Sequence, residues 1–213
     1  MLRSILYAVL VLAVLACAVP AYSQDKDFVS LFNGKDLSGW HAMGADAWQV
    51  KDGLLVCNGE GKGVRWLRSD AQYKDFALKL EYKIPAGGNS GVFFRAAEEG
   101  DPSYTGFQIQ IYDDFGKAPD AKGSAALVDA VAPSINVSRP AGEWNSMEIS
   151  CIGSMLTVRH NGRRVIRIDL ADPALNAKMK ADYKLNNRRP IGYIGVQNHG
   201  IPVEFRNIRI RKV

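Results

Sequence analysis

The stretch "FALKLEYKI" (residues 76–84) decides the fold class. Phe76, Leu78, Leu80, Tyr82 and Ile84 occupy every second position, with Ala77, Lys79, Glu81 and Lys83 between them. An extended chain sends successive side chains to opposite faces, so a period of two describes a strand with one buried and one wetted face. The same rhythm recurs on both sides. Before it come "AWQV", "GLLVCN" and "GVRWLRS"; after it come "SGVFFR", "GFQIQIYD", "NSMEISCI", "MLTVRHN", "RVIRIDL", "IGYIGVQNH" and "VEFRNIRIR". Turn chemistry separates these runs, as "KDG", "GGN" and "IGS". The Asn-Gly pair in "HNGR" is the strongest hairpin signal in the chain. About ten or eleven short antiparallel strands with no long helix predict an all-β fold, an antiparallel β-sandwich or barrel. Residues 171–189 break the alternation and are expected to hold a loop or one short helix.

The first residues differ from the rest. Arg3 precedes an apolar run from Ile5 to Val19 that is short for a membrane span, and Ala21 and Ser23 place small residues where a signal peptidase needs them. Residues 1–23 therefore read as a signal peptide, and the protein is expected to be exported, periplasmic or secreted. Cys17, at the end of "VLAC", offers the alternative of a lipoprotein anchored at the outer membrane, although Leu15 is large for that motif. No Pro/Gly-rich linker divides residues 24–213, so one domain is expected. Losing Arg3 lowers the formal charge of +5 by one. Basic residues are spread along the chain. Their densest group, "NAKMKADYKLNNRRP", reads as a solvated loop, not a nucleic-acid surface. Cys57 and Cys151 each sit in a strand-like run and are expected either to pair in an oxidising compartment or to stay as buried thiols. Neither has metal-site spacing.

Six blocks taken together resemble one family. They are "LFNGKDLSGW" (31–40), "GGNSGVFFR" (87–95), "GFQIQIYDD" (106–114), "PAGEWN" (140–145), "NG" (161–162) and "GYIGVQNHGIPVEFRNIRI" (192–210). The chain is similar to the 3-keto-disaccharide hydrolase domain family, formerly domain of unknown function 1080. The resemblance implies a concanavalin-A-like jelly roll akin to laminarinase-type glycoside hydrolases, and a carbohydrate substrate. A family segment that often reads Thr-Gly-Ala-Ile-Tyr carries Leu127 or Val128 at its tyrosine position here.

Within that fold the polar strand faces are expected to line a concave cleft. Gly91, Phe93 and Arg95 share one face of "SGVFFR"; Gln108, Gln110 and Tyr112 share one face of "GFQIQIYD"; Tyr193, Gly195, Gln197 and His199 share one face of "IGYIGVQNH". Glycines on such a face would leave room for a sugar, and amides would meet its hydroxyls. Asn89, Gln108, Gln110, Gln197 and Trp66 are the expected substrate-binding residues. Trp66 has core packing as its alternative. Trp40, Trp48 and Trp144 are expected to be structural, and Glu143 to serve a turn or salt bridge.

The residues that are missing argue against one chemistry. Laminarinase-type enzymes carry Glu-x-Asp-x-x-Glu on one strand, where this chain has Gln108, Gln110, Tyr112 and Asp113. Amides neither take nor give a proton near neutrality, so the two-carboxylate route across a glycosidic bond is not expected. The resemblance to the 3-keto family implies another route, in which a ketone at C3 of the sugar acidifies the proton at C2 and elimination needs one base and a group to hold the enolate. His199 is the expected base, Asp113 the second choice, and Arg95 the enolate partner. A divalent metal held by carboxylates and His199 is the alternative to Arg95. His41 and His160 are weaker candidates, His160 being expected at an exposed turn. The competing reading is a carbohydrate-binding module without turnover.

Overall fold

The computed structural model describes residues 26–44, 46–61, 65–180 and 183–213; the expected leader, with Arg3 and Cys17, lies outside them. In order, the strands are β1 (Val29–Ser30), β2 (Trp40–Met43), β3 (Trp48–Lys51), β4 (Leu54–Cys57), β5 (Trp66–Tyr73), β6 (Phe76–Lys83), β7 (Asn89–Ala96), β8 (Phe107–Tyr112), β9 (Asn145–Ile152), β10 (Met155–His160), β11 (Arg163–Asp169), β12 (Gly192–Gln197) and β13 (Val203–Lys212). A short helix α1 (Pro102–Thr105) joins β7 to β8, and α2 (Pro173–Ala177) follows β11. The region 171–189 thus holds α2 and a 3₁₀ turn, Leu185–Asn187.

Two antiparallel sheets stack face to face. The larger runs β11-β10-β9-β6-β13-β4-β3, with β1 also paired to β13; the smaller runs β2-β5-β12-β7-β8. The alternation of residues 76–84 holds in β6, where Phe76, Leu78, Leu80 and Tyr82 are buried while Lys79, Glu81 and Lys83 are half-buried. These side chains meet Val92, Phe94, Ile109, Ile111, Ile194 and Val196 from the smaller sheet in one core. Phe76 and Phe94 touch edge to face across the sheets at 5.8 Å, and Phe94 stacks on Phe107 at 4.9 Å. Each fully buried side chain of this size contributes about 1.5–3 kcal/mol.

Two turns carry the twist that tight hairpins need. Asp52 and Gly53 between β3 and β4, and Asn161 and Gly162 between β10 and β11, all have φ between 46° and 78°, the left-handed pair of a type I′ turn. Asn161 also anchors a distant loop, donating from Nδ2 to the Val137 carbonyl at 2.8 Å. The expected exposure of His160 is corrected. It continues the inward phase of Leu156 and Val158, is fully buried, and lies 2.9 Å from the Tyr82 hydroxyl. The hairpin reverses above the core rather than beyond it. Cys57 and Cys151 are buried free thiols. Trp40 and Trp48 are buried in the core. Among the described residues no helix is long and apolar enough to cross a membrane.

Candidate functional site

The outer face of the smaller sheet carries the candidate site. Registered pairs carry one row across all five strands: His41 opposite Arg68, Arg68 opposite Gly195, Gly195 opposite Phe93, and Phe93 opposite Gln108. Neighbouring pairs on the same face are Met43 with Trp66, Trp66 with Gln197, and Gly91 with Gln110. Gln108, Gln110 and Gln197 therefore share a face, in the phase their alternation gives. Two depressions open on it. One, of about 450 Å³, is lined by Arg65, Phe93, Asp101, Gln197, Asn198 and His199. The other, of about 350 Å³, includes Asn89, Gln110, Tyr112, Asp114 and Lys117. The outer face of the larger sheet has a smaller groove, about 200 Å³, between Glu81, Glu148, Arg159 and Arg209, lined by neither histidine nor aromatic residues.

Gln108 connects the two depressions. It is 4% exposed, and its Nε2 donates to Gln110 Oε1 and to Gln197 Oε1, each at 3.0 Å. The Ser103 hydroxyl of α1 donates to Gln108 Oε1 at 2.8 Å. The short helix is itself fixed at both ends. Asp101 caps it by accepting from Ser103 N at 2.8 Å, and the Arg188 guanidinium donates to the Ser103 and Gly106 carbonyls. The cap that holds α1 thus also puts a carboxylate at the rim of the His199 cleft.

The glycines of this face receive the protein's own side chains, which corrects the expectation that they leave room for a sugar. A β-carbon at Gly91 would meet the Gln108 amide, and one at Gly195 would fall 2.4 Å from the Trp66 ring. Trp66 is 1% exposed and packs edge to face on Phe93 at 5.6 Å. Of the two readings of Trp66, core packing is the one found.

His199 is exposed just beyond β12 and lines the larger depression. Arg95 and Asp113 do not join it there. Between the pairs Gly195–Phe93 and Tyr193–Ala96, one residue of β12, Ile194, faces two of β7, Phe94 and Arg95. The extra residue makes a bulge, with Arg95 at φ 51°, and a bulge re-aims the side chain it carries. Arg95 consequently points away from the cleft, donating from Nε to the Lys74 carbonyl at 2.8 Å and pairing with Asp75 at 3.2 Å. Asp113 accepts from Gly87 N at 2.8 Å and so ties down the turn before β7. Six residues of strand separate Asn89 from Arg95, about 20 Å, so the expected trio of His199, Asp113 and Arg95 is not assembled. Asp114 is buried and holds Ser124 N and the Ser138 hydroxyl.

Arg65 and Asp101 supply the cation and the carboxylate of the His199 cleft instead. Neither has a sequence signal of its own: Arg65 precedes β5 and Asp101 lies in a loop. Arg68 was legible, because "WLRS" alternates and places Trp66 and Arg68 on one face. It is buried under Tyr193, 4.4 Å from that ring, and pairs with Glu98 at 2.8 Å. Among the described residues no three His, Cys, Asp or Glu side chains group closely enough to hold a metal.

The comparisons agree with this fold. A model of the 3-keto-α-glucoside-1,2-lyase-like domain matches residues 27–211. A 3-keto-disaccharide hydrolase of Bacteroides thetaiotaomicron is 27% identical over 226 aligned positions, covering 86% of this chain and 78% of that protein. A crystal structure of a candidate glycosyl hydrolase from Parabacteroides distasonis superposes with a TM-score of 0.78 at 26% identity, covering 87% of this chain and 94% of that one. A carbohydrate-binding module from Bacillus subtilis, at 14% identity and a TM-score of 0.57, covers 82% of this chain and 96% of its own and shares the fold alone.

Proposed function

The chain belongs to the 3-keto-α-glucoside-1,2-lyase-like family, and on that premise we propose that it is an exported enzyme cleaving 3-keto-glycosides by elimination and hydration. The observation that carries the reading is the shared cleft of His199, Arg65 and Gln197, beside a strand whose would-be catalytic carboxylates are the amides Gln108 and Gln110. The cleft offers one base and hydrogen-bond donors, the groups that such an elimination uses.

In this reaction His199 takes the C2 proton, and the electron pair of that C–H bond passes to the C3 oxygen as an enolate. The positive Arg65 and the Gln197 amide face that oxygen in the proposed pose and stabilise its charge. Collapse of the enolate restores the ketone, forms the C1–C2 double bond and expels the C1 substituent, which departs as an alcohol after receiving a proton from the imidazolium. Water then adds its oxygen to C1 and a proton to C2, giving the free keto-sugar. The proposal of export is supported by the apolar run Ile5–Val19 followed by Ala21 and Ser23; Cys17 acylation would make the same protein a membrane-anchored lipoprotein.

The test is incubation with an aryl 3-keto-glucoside and with its unoxidised parent, following release of the aryl alcohol. Release is expected from the keto form only, and His199→Ala should slow it about 10²–10⁴-fold, the span of general-base catalysis. Equal cleavage of the parent sugar would overturn the elimination route. Binding of glucosides without turnover of either form would establish the carbohydrate-binding module instead.

A further inference from the structure

The three glutamines form a chain whose polarity is set by a group that cannot reverse. The Lys122 carbonyl oxygen accepts from Gln110 Nε2 at 3.2 Å. A main-chain carbonyl can only accept, so Gln110 must turn its own oxygen toward Gln108, which therefore presents its amino group there. That amino group has two hydrogens, and the second meets Gln197 Oε1 at 3.0 Å. The Ser103 hydroxyl completes the oxygen of Gln108. Both hydrogens of the buried Gln108 amide are engaged and its oxygen is bonded, so it cannot turn over without breaking contacts at both ends. Gln197 is left with its carbonyl engaged. Its Nε2, with no partner among the described residues, is the end free for the cleft lined by Arg65 and His199.

From this chain we infer that Gln197 is a donor-only group and that the cleft uses it to select a ketone over the hydroxyl it replaces. Gln108 is a positioning residue acting through Gln197. The inference rests on the keto-sugar reading above. A ketone oxygen only accepts, so it is fully matched by the Gln197 amino group and the Arg65 guanidinium, both donors only. A hydroxyl at the same place has a hydrogen to give and meets no acceptor in either group. An unmatched polar group in a desolvated contact is disfavoured, which is how a site rejects an analogue differing by one hydrogen. The same donors gain strength as negative charge develops on that oxygen.

The experiment uses a non-cleavable thio-linked 3-keto-glucoside and its parent thio-glucoside, titrated calorimetrically into the full-length mature protein. The wild type is expected to bind the keto form at least about tenfold more tightly. In Gln197→Glu one carboxylate oxygen still accepts from Gln108 while the other faces the cleft as an acceptor, so the preference should reverse. In Gln108→Met the Gln197 amide is free to rotate, and the ratio should fall to within about threefold of unity. A Gln197→Glu protein that keeps the wild-type ratio overturns the inference, as does a folded Gln108→Met protein that does so. If Gln108→Met does not fold, Gln197→Glu decides alone. Equal binding of both ligands by the wild type defeats the inference and leaves the keto-sugar reading standing; binding of neither defeats both.

Discussion

The amide of Gln108 lies against Gly91 so closely that a β-carbon at position 91 would fall 2.3 Å from Gln108 Nε2. Any side chain at position 91 therefore displaces Gln108, which bonds both Gln110 and Gln197. Gly91→Ala is expected to lower stability by about 1–3 kcal/mol, the cost of overpacking a filled space, and to reduce turnover of a 3-keto-glucoside. A denaturant midpoint identical to the wild type would show that Gln108 can move aside at no cost.

Arg95 is held by the Lys74 carbonyl and Asp75, away from the cleft. Arg95→Ala should therefore lower stability by about 2–3 kcal/mol, as expected for losing charge-assisted hydrogen bonds of a buried group, while kcat of the folded protein stays at the wild-type value. A folded Arg95→Ala protein with a kcat loss of a hundredfold or more would return Arg95 to the chemistry.

His160 titrates in the opposite sense to an ion-paired histidine. Burial holds its pKa down to about 4, against 6.5 for the ordinary group. The unfolded chain thus binds the proton more readily than the folded one. The stabilising contribution is complete above pH 6.5 and is lost as pH falls from 6.5 toward 4, about 3 kcal/mol across that window. His160→Gln keeps a polar partner for the Tyr82 hydroxyl but does not titrate. Its unfolding free energy should change less with pH between 4 and 6.5 than that of the wild type, and parallel profiles would refute the assignment.

Burial raises the Cys57 thiol pKa and pushes that of Cys151 up to about 11. Neither thiol is bonded to the other, so in protein lacking residues 1–23 a thiol-reactive dye at pH 8 should label nothing until denaturant is added, and then label both. A reductant should leave the unfolding temperature unchanged. A drop in that temperature on reduction would reveal a disulfide.

The amino-acid sequence by itself determined the strands, the hairpin turns and the shared face of Gln108, Gln110 and Gln197. These are local properties. A period of two is written residue by residue, and Asn161-Gly162 supplies its own left-handed turn wherever it is placed. The family blocks carried the rest of that reading, because they span nearly all of the described chain.

Tertiary structure alone decided which residues meet. One inserted residue in β7 is enough to turn Arg95 from the cleft to Asp75, and alternation counted along the sequence cannot register it, since a bulge is defined by the partner strand. His160 looked exposed beside its Asn-Gly turn until the position of Tyr82 beneath it was known. Arg65 lies just before β5, Asp101 caps α1, and His199 lies just beyond β12. They share a cleft because the smaller sheet places β12 beside β5 and Arg188 draws α1 toward the loop before β12. Such contacts depend on loop closure between distant segments, for which the sequence near each residue holds no signal.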